Sequence, residues 1–103
     1  MPLELRPNCE CCDKDLPNGN PEAMICTYEC TFCKPCVDDI LSNVCPNCGG
    51  GFVPRPTRPF MARRDGVTIV HHPASEKRRY TKYSKEELIE FANQAKHIPP
   101  EKR

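Results

Sequence analysis

Nine cysteines lie between residues 9 and 48 of a 103-residue chain, and eight of them pair at short spacings: Cys9 with Cys12, Cys26 with Cys30, Cys33 with Cys36, and Cys45 with Cys48. A tight turn can bring the two sulfurs of such a pair onto one ion. Two pairs then complete a tetrahedral four-thiolate zinc site with Zn–S distances of about 2.3 Å. Eight ligands therefore imply two zinc ions, with iron–sulfur ligation and redox thiols as lesser readings. A disulfide scaffold fits poorly. The opening MPLELRPNCE has neither the basic n-region nor the apolar h-region of an export signal, and an odd cysteine count leaves no closed disulfide set. The expectation is a cytoplasmic protein with reduced thiols. No apolar run approaches the roughly 20 residues of a membrane span, so no membrane partner is expected.

The elements around the cysteines must decide how four pairs are shared between two ions. Placing Cys26, Cys30, Cys33 and Cys36 on one ion would double the chain back across only Thr31 and Phe32, both of which favour strands. Sending Cys30 and Cys33 to different ions lets those two residues run extended, over up to about 10 Å between the flanking Cα atoms. Past Cys33, Pro35 suits a first helical turn, and Val37, Ile40 and Leu41 give a short apolar face to pack on Ile25, Phe32 and Val44. That core is small. With 12 prolines and a hydrophobic share of 38%, the chain needs metal to hold it.

The net charge of +1 hides an asymmetry: residues 1–50 carry three Lys/Arg against eight Asp/Glu, while residues 51–103 carry twelve against six. An acidic cysteine module at 1–53 gives way to a Pro/Arg-rich spacer at 54–65, where Pro54, Pro56 and Pro59 suggest an extended, polyproline-like backbone. Residues 66–103 form a basic tail. Within it, GVTIV (Gly66 to Val70) reads as one short strand. Ser84 and Glu87 make a capping box for a helix near 85–97, whose apolar stripe is Leu88, Phe91, Ala92 and Ala95. A lone helix of that length is marginal in water, so the stripe should rest on the module or on a partner.

The spacing CxxC, CxxxC, CxxC, CxxC, with ECTFCKPCVDDIL and a closing CPNC, resembles the RING finger in an all-cysteine form. The resemblance implies a small zinc-stabilised α+β fold with cross-brace ligation. Cys9, Cys12, Cys33 and Cys36 would hold the first zinc, and Cys26, Cys30, Cys45 and Cys48 the second. Consecutive pairing is the alternative. The chain as a whole also resembles a family of short, cysteine-rich bacterial proteins of unknown function, through LELRPNCECCDKDLP, ECTFC, CPNCGG, HPAS and the closing IPPEKR. That resemblance implies a cytosolic zinc protein and supplies no reaction.

The remaining residues are weighed against plainer roles. Cys11 sits between ligands and is either a small buried hydrophobe or a reactive thiol and substitute ligand. His71 and His72 read as solvated rather than as a third metal site. Arg63, Arg64, Lys77, Arg78 and Arg79 are candidate phosphate contacts, yet the preferred reading lays the basic tail on the acidic module or leaves it a solvated surface. Val37, Ile40, Leu41 and Pro46 are the candidate partner surface. A ubiquitin ligase would need a hydrophobic shelf where Cys11 stands and a basic residue where Gly49, Gly50 and Gly51 follow the last ligand. No Cys/His dyad can be argued, because the cysteines are better explained as ligands. The expected role is thus a non-enzymatic module that binds another protein. A redox or zinc-responsive protein, a nucleic-acid adaptor and a ligase-like RING are the alternatives.

Overall fold

A computed structural model describes residues 2–103, so the module boundary drawn at residue 1 begins outside the described residues. The architecture is a three-stranded antiparallel sheet with two α-helices, the first running on into a π turn, and a closing 3-10 turn at Pro100–Lys102. Its strands are β1 (Ala23–Ile25), β2 (Thr31–Cys33) and β3 (Val53–Pro54), in the order β2-β1-β3. Met24 faces Phe32 across one ladder and Pro54 across the other. Pro54 is tolerated because β3 is an edge strand, where a missing N–H costs no ladder bond.

β2 carries the extended Thr31–Phe32 run that separate placement of Cys30 and Cys33 allows, and both residues are fully buried. Phe32 meets Phe52 edge to face, with ring centroids 5.4 Å apart at 73°, which is a favoured aromatic geometry. The strand ends on Cys33, whose extended backbone caps α1 (Lys34–Cys36), with Pro35 in the first turn as expected. α1 then widens into a π-helical turn, Val37–Leu41. Ser42 and Asn43 stop it with two successive left-handed residues, φ 49° and 61°. The Asn43 side chain accepts from the Phe52 N–H at 2.9 Å and so directs the chain into β3.

The spacer and tail are fastened to this module. The spacer was expected to run extended, and within it Arg55 is buried and binds back. Its N–H donates to the Ala23 carbonyl, and its guanidinium to the carbonyls of Arg6, Leu16 and Pro17 at 2.8–3.3 Å. Arg58 likewise reaches the carbonyls of Leu3 and His72. The strand expected at 66–70 does not form. The Thr68 hydroxyl accepts from the N–H groups of Val70 and His71 and bonds the His71 ring, and this local turn competes with any ladder.

The helix read from the capping box is α2 (Lys85–Ala95), two residues shorter than expected. The Ser84 hydroxyl accepts from the Glu87 N–H while the Glu87 carboxylate accepts from the Ser84 N–H. Leu88 and Ala92 are buried against the π turn, which supplies the support that so short a helix needs. Among the described residues no helix is long and apolar enough to cross a membrane.

Candidate metal centres

Two groups of thiols converge. The sulfurs of Cys9, Cys12, Cys33 and Cys36 lie within 4.8 Å of one another, and so do those of Cys26, Cys45 and Cys48. The Cys30 thiol falls outside that radius for at least one of the latter three, and donates instead to the Tyr28 carbonyl at 3.9 Å. The groups therefore interleave along the chain: the first and third pairs converge, and Cys26 of the second pair meets the fourth. Each group has one solvent-exposed sulfur, Cys12 in one and Cys48 in the other.

Local backbone geometry presents these sulfurs. In the first loop the Cys9 N–H donates to the Lys14 carbonyl and the Asp13 N–H returns to the Cys9 carbonyl, both at 2.8 Å. The last loop repeats the arrangement with Cys45 to Gly50 at 2.8 Å and Gly49 to Cys45 at 2.7 Å. In both, the residue after the second cysteine is left-handed, Asp13 at φ 66° and Gly49 at φ 80°. Asp and Gly are residue types that adopt this region readily. The CTYEC loop closes through Cys26 N–H to Cys30 and Glu29 N–H to Cys26, with Glu29 left-handed. The Cys33–Cys36 pair instead lies at the two ends of α1.

Backbone donors point at the sulfurs. Cys9 Sγ accepts from the N–H groups of Cys11 and Cys12 at 3.4 and 3.5 Å, Cys26 Sγ from Tyr28 at 3.3 Å, and Cys48 Sγ from Gly50 at 3.4 Å. Such donors favour the thiolate. Without a cation the crowded thiols oppose one another's ionisation. Burial lifts Cys26 and Cys33 to about 11. The neighbouring Cys45 thiol holds Cys30 down, and the same proximity, with burial, drives Cys45 up. A divalent cation relieves this conflict, because it neutralises the charge that the donors invite. The donor set therefore fits a thiophilic metal at both places.

A polar strut joins the two groups, and neither cysteine spacing nor composition announces it. Glu10, only 5% exposed, pairs with β2 as a strand would: its N–H donates to the Thr31 carbonyl, and its carboxylate accepts from the Thr31 N–H at 2.7 Å. The Arg6 guanidinium neutralises that carboxylate at 2.8 Å. Asn8, fully buried, binds the Cys9 carbonyl, the Asp13 carboxylate and the Arg79 carbonyl, fixing the first loop to the tail. The only sequence signal for either residue is a polar side chain flanking Cys9.

Several expected site residues take other roles. Val37 and Leu41 are buried at 2% and 0% exposure, Pro46 is buried too, and Ile40 is half-buried, with α2 packed on the turn. The expected partner surface is thus already covered by the protein's own helix. Of the candidate phosphate contacts, Arg78 binds the carboxylates of Asp13 and Asp15, and Arg79 that of Glu4. Arg63, Arg64 and Lys77 stay exposed. Cys11 is half-buried against the core, and burial raises its thiol above the ordinary range, which opposes a reactive role. His71 turns to Thr68 and joins neither thiol group.

A family model described as "Protein of unknown function (DUF1272)" matches residues 2–58. That span takes in every cysteine and all three strands. The HPAS and IPPEKR segments of the tail lie beyond it. An uncharacterized protein of Rhizobium meliloti (strain 1021) is 63% identical over 57 residues, which make up 55% of this chain and 68% of that protein. No solved structure matches the chain.

Proposed function

Given that the chain belongs to the DUF1272 family, whose description assigns no function, we propose from the site itself that the protein is a two-zinc, RING-like, non-enzymatic module for binding another protein. The observation that carries this reading is the interleaving of the thiol groups, Cys9/Cys12 with Cys33/Cys36 and Cys26 with Cys45/Cys48. Interleaved ligands tie distant segments into one rigid body, which suits a recognition scaffold. In this reading Cys30 supplies the fourth ligand of the second set. All-sulfur donors select zinc or iron over magnesium, calcium or manganese, and zinc in four thiolates is a closed structural site with no open position for substrate.

The partner surface in this reading is not the edge that α2 covers but the groove α2 forms with that edge. The groove is a cavity of about 240 Å³ lined by Pro46, Tyr83, Leu88 and Phe91, with Glu87 and Glu90 at its rim. A nucleic-acid adaptor is less well supported, because Arg78 and Arg79 already bind carboxylates of the module. A ligase-like role is weakened by α2 on the helical edge.

Native mass spectrometry with thiol alkylation tests the metal assignment. The expected result is two zinc ions, eight protected thiols and labelling of Cys11 alone. One metal, iron in place of zinc, or several labelled thiols would overturn it.

A further inference from the structure

Eight arginines occur in the chain, and six of them are held by the fold. Arg6 and Arg79 bind carboxylates, as does Arg78, while Arg55, Arg58 and Arg103 bind carbonyls. Arg63 and Arg64 differ. Both are exposed, neither forms an ion pair with a carboxylate among the described residues, and Arg64 bonds only its neighbour's carbonyl. They sit in a loop closed at its base, where the Ile69 N–H donates to the Pro59 carbonyl at 2.8 Å. The Asn18 side chain pins the same base, donating to the Arg58 carbonyl and accepting from the Arg58 N–H at 2.9 Å each. Every residue from 59 to 65 is exposed, so the segment forms a tip on a fixed stem.

The same loop carries an unusual apolar load. Phe60 is 76% exposed, Met61 61% and Val70 69%. A shallow apolar cavity of about 260 Å³, lined by Leu3, Pro56, Pro59 and Val67, continues the patch at the base. A tip of adjacent large hydrophobes beside two cations with no internal partner has the two chemistries of a bilayer interface, acyl chains and anionic headgroups. A protein partner would need a pocket shaped for this tip, whereas a bilayer needs none. The absence of an apolar run of spanning length excludes a crossing segment only and leaves peripheral insertion open.

We propose that the 59–70 loop is a peripheral membrane anchor, inserting Phe60 and Met61 into an anionic lipid surface while Arg63 and Arg64 meet its phosphates. This surface is separate from the α2 groove, so failure here leaves the module reading untouched. The test is co-sedimentation of the zinc-loaded full chain with vesicles of phosphatidylcholine alone or mixed with phosphatidylglycerol. Binding is expected to the anionic vesicles only, and to fall as salt rises. At about 1 kcal/mol per arginine near a charged surface, Arg63→Gln with Arg64→Gln should weaken it roughly 10- to 30-fold. Phe60→Ser with Met61→Ser should abolish it while leaving metal content and thermal melt unchanged, since both residues are exposed. No binding, equal binding to neutral vesicles, binding that survives both double variants, or a shift of mixed oligonucleotides in place of vesicle binding would each overturn the proposal.

Discussion

Cys33 and Arg55 are both buried, yet they hold the chain in different ways. Cys33 belongs to a group of four sulfurs gathered by closely spaced loops, whereas Arg55 gathers the carbonyls of Arg6, Leu16 and Pro17 from segments far from it in sequence. The cysteine half is organised about converging acceptors that call for a cation. The basic half brings its own cations and lays them on acceptors that the first half exposes. Order therefore runs one way: the module creates the carbonyls and carboxylates, and the spacer and tail dock on them. A failure in the module should reach the tail, and a failure in the tail should stop short of the module.

Metal removal tries that hierarchy hardest. Structural zinc contributes about 10–16 kcal/mol of apparent binding energy per site, well beyond what so small a core supplies. Chelation should therefore unfold both halves in one transition, seen as loss of ellipticity for the sheet and for α2 together. An unchanged thermal melt after chelation would show that the sulfurs do not carry the fold.

Substituting Arg55 addresses the joint between the halves. Arg55→Gln leaves the carbonyls of Leu16 and Arg6 buried with fewer donors, and lost bonds to a charged group cost about 1.5–3 kcal/mol each before relaxation. A net loss of about 2–4 kcal/mol in denaturant unfolding is expected. Both metals should remain bound in the native state. Loss of metal in this variant would mean that the spacer helps to build the sites and that the order of dependence is wrong.

Leu88 probes the tail alone. It is 2% exposed and packs into the core cluster, so Leu88→Ala should cost about 2–3 kcal/mol. Hydrogen exchange should quicken along α2 while β1 and β2 keep their protection. Equal loss of protection in the sheet would merge the two regions into one cooperative unit.

The contrast between the halves also marks what could be read from the sequence. The converging cysteines and the Ser84–Glu87 box were legible because they involve residues three or four positions apart, where spacing constrains geometry. The extended Thr31–Phe32 run was legible for a related reason: two residues between ligands leave few paths. Arg6, Glu10 and Arg55 were not legible, since their partners depend on how loops meet in space. The Gly66–Val70 segment misled because β-branched residues favour a strand only where a neighbouring edge exists, and Thr68 instead closes a turn on itself. The Val37/Leu41 edge looked like a free surface because nothing in its own sequence says that α2 lies over it.

The smallest expected effect lies at Ser84, and it bears most directly on whether α2 is an element in its own right. Ser84 is exposed and touches the helix only through its cap, so Ser84→Ala removes an acceptor for the Glu87 N–H without altering any packing. Loss of an N-cap costs about 1 kcal/mol. If α2 is a docked but separable unit, that cost should appear as about a fivefold faster exchange of α2 amides, with the global melt nearly unmoved. If α2 and the module unfold only together, the same 1 kcal/mol should instead lower the melting temperature by roughly 4–8 °C, as for a cooperative domain of this size. Either result is measurable on one sample. A shifted melt with unchanged local exchange would mean that the tail, despite its separate composition and charge, has become part of the metal-built core.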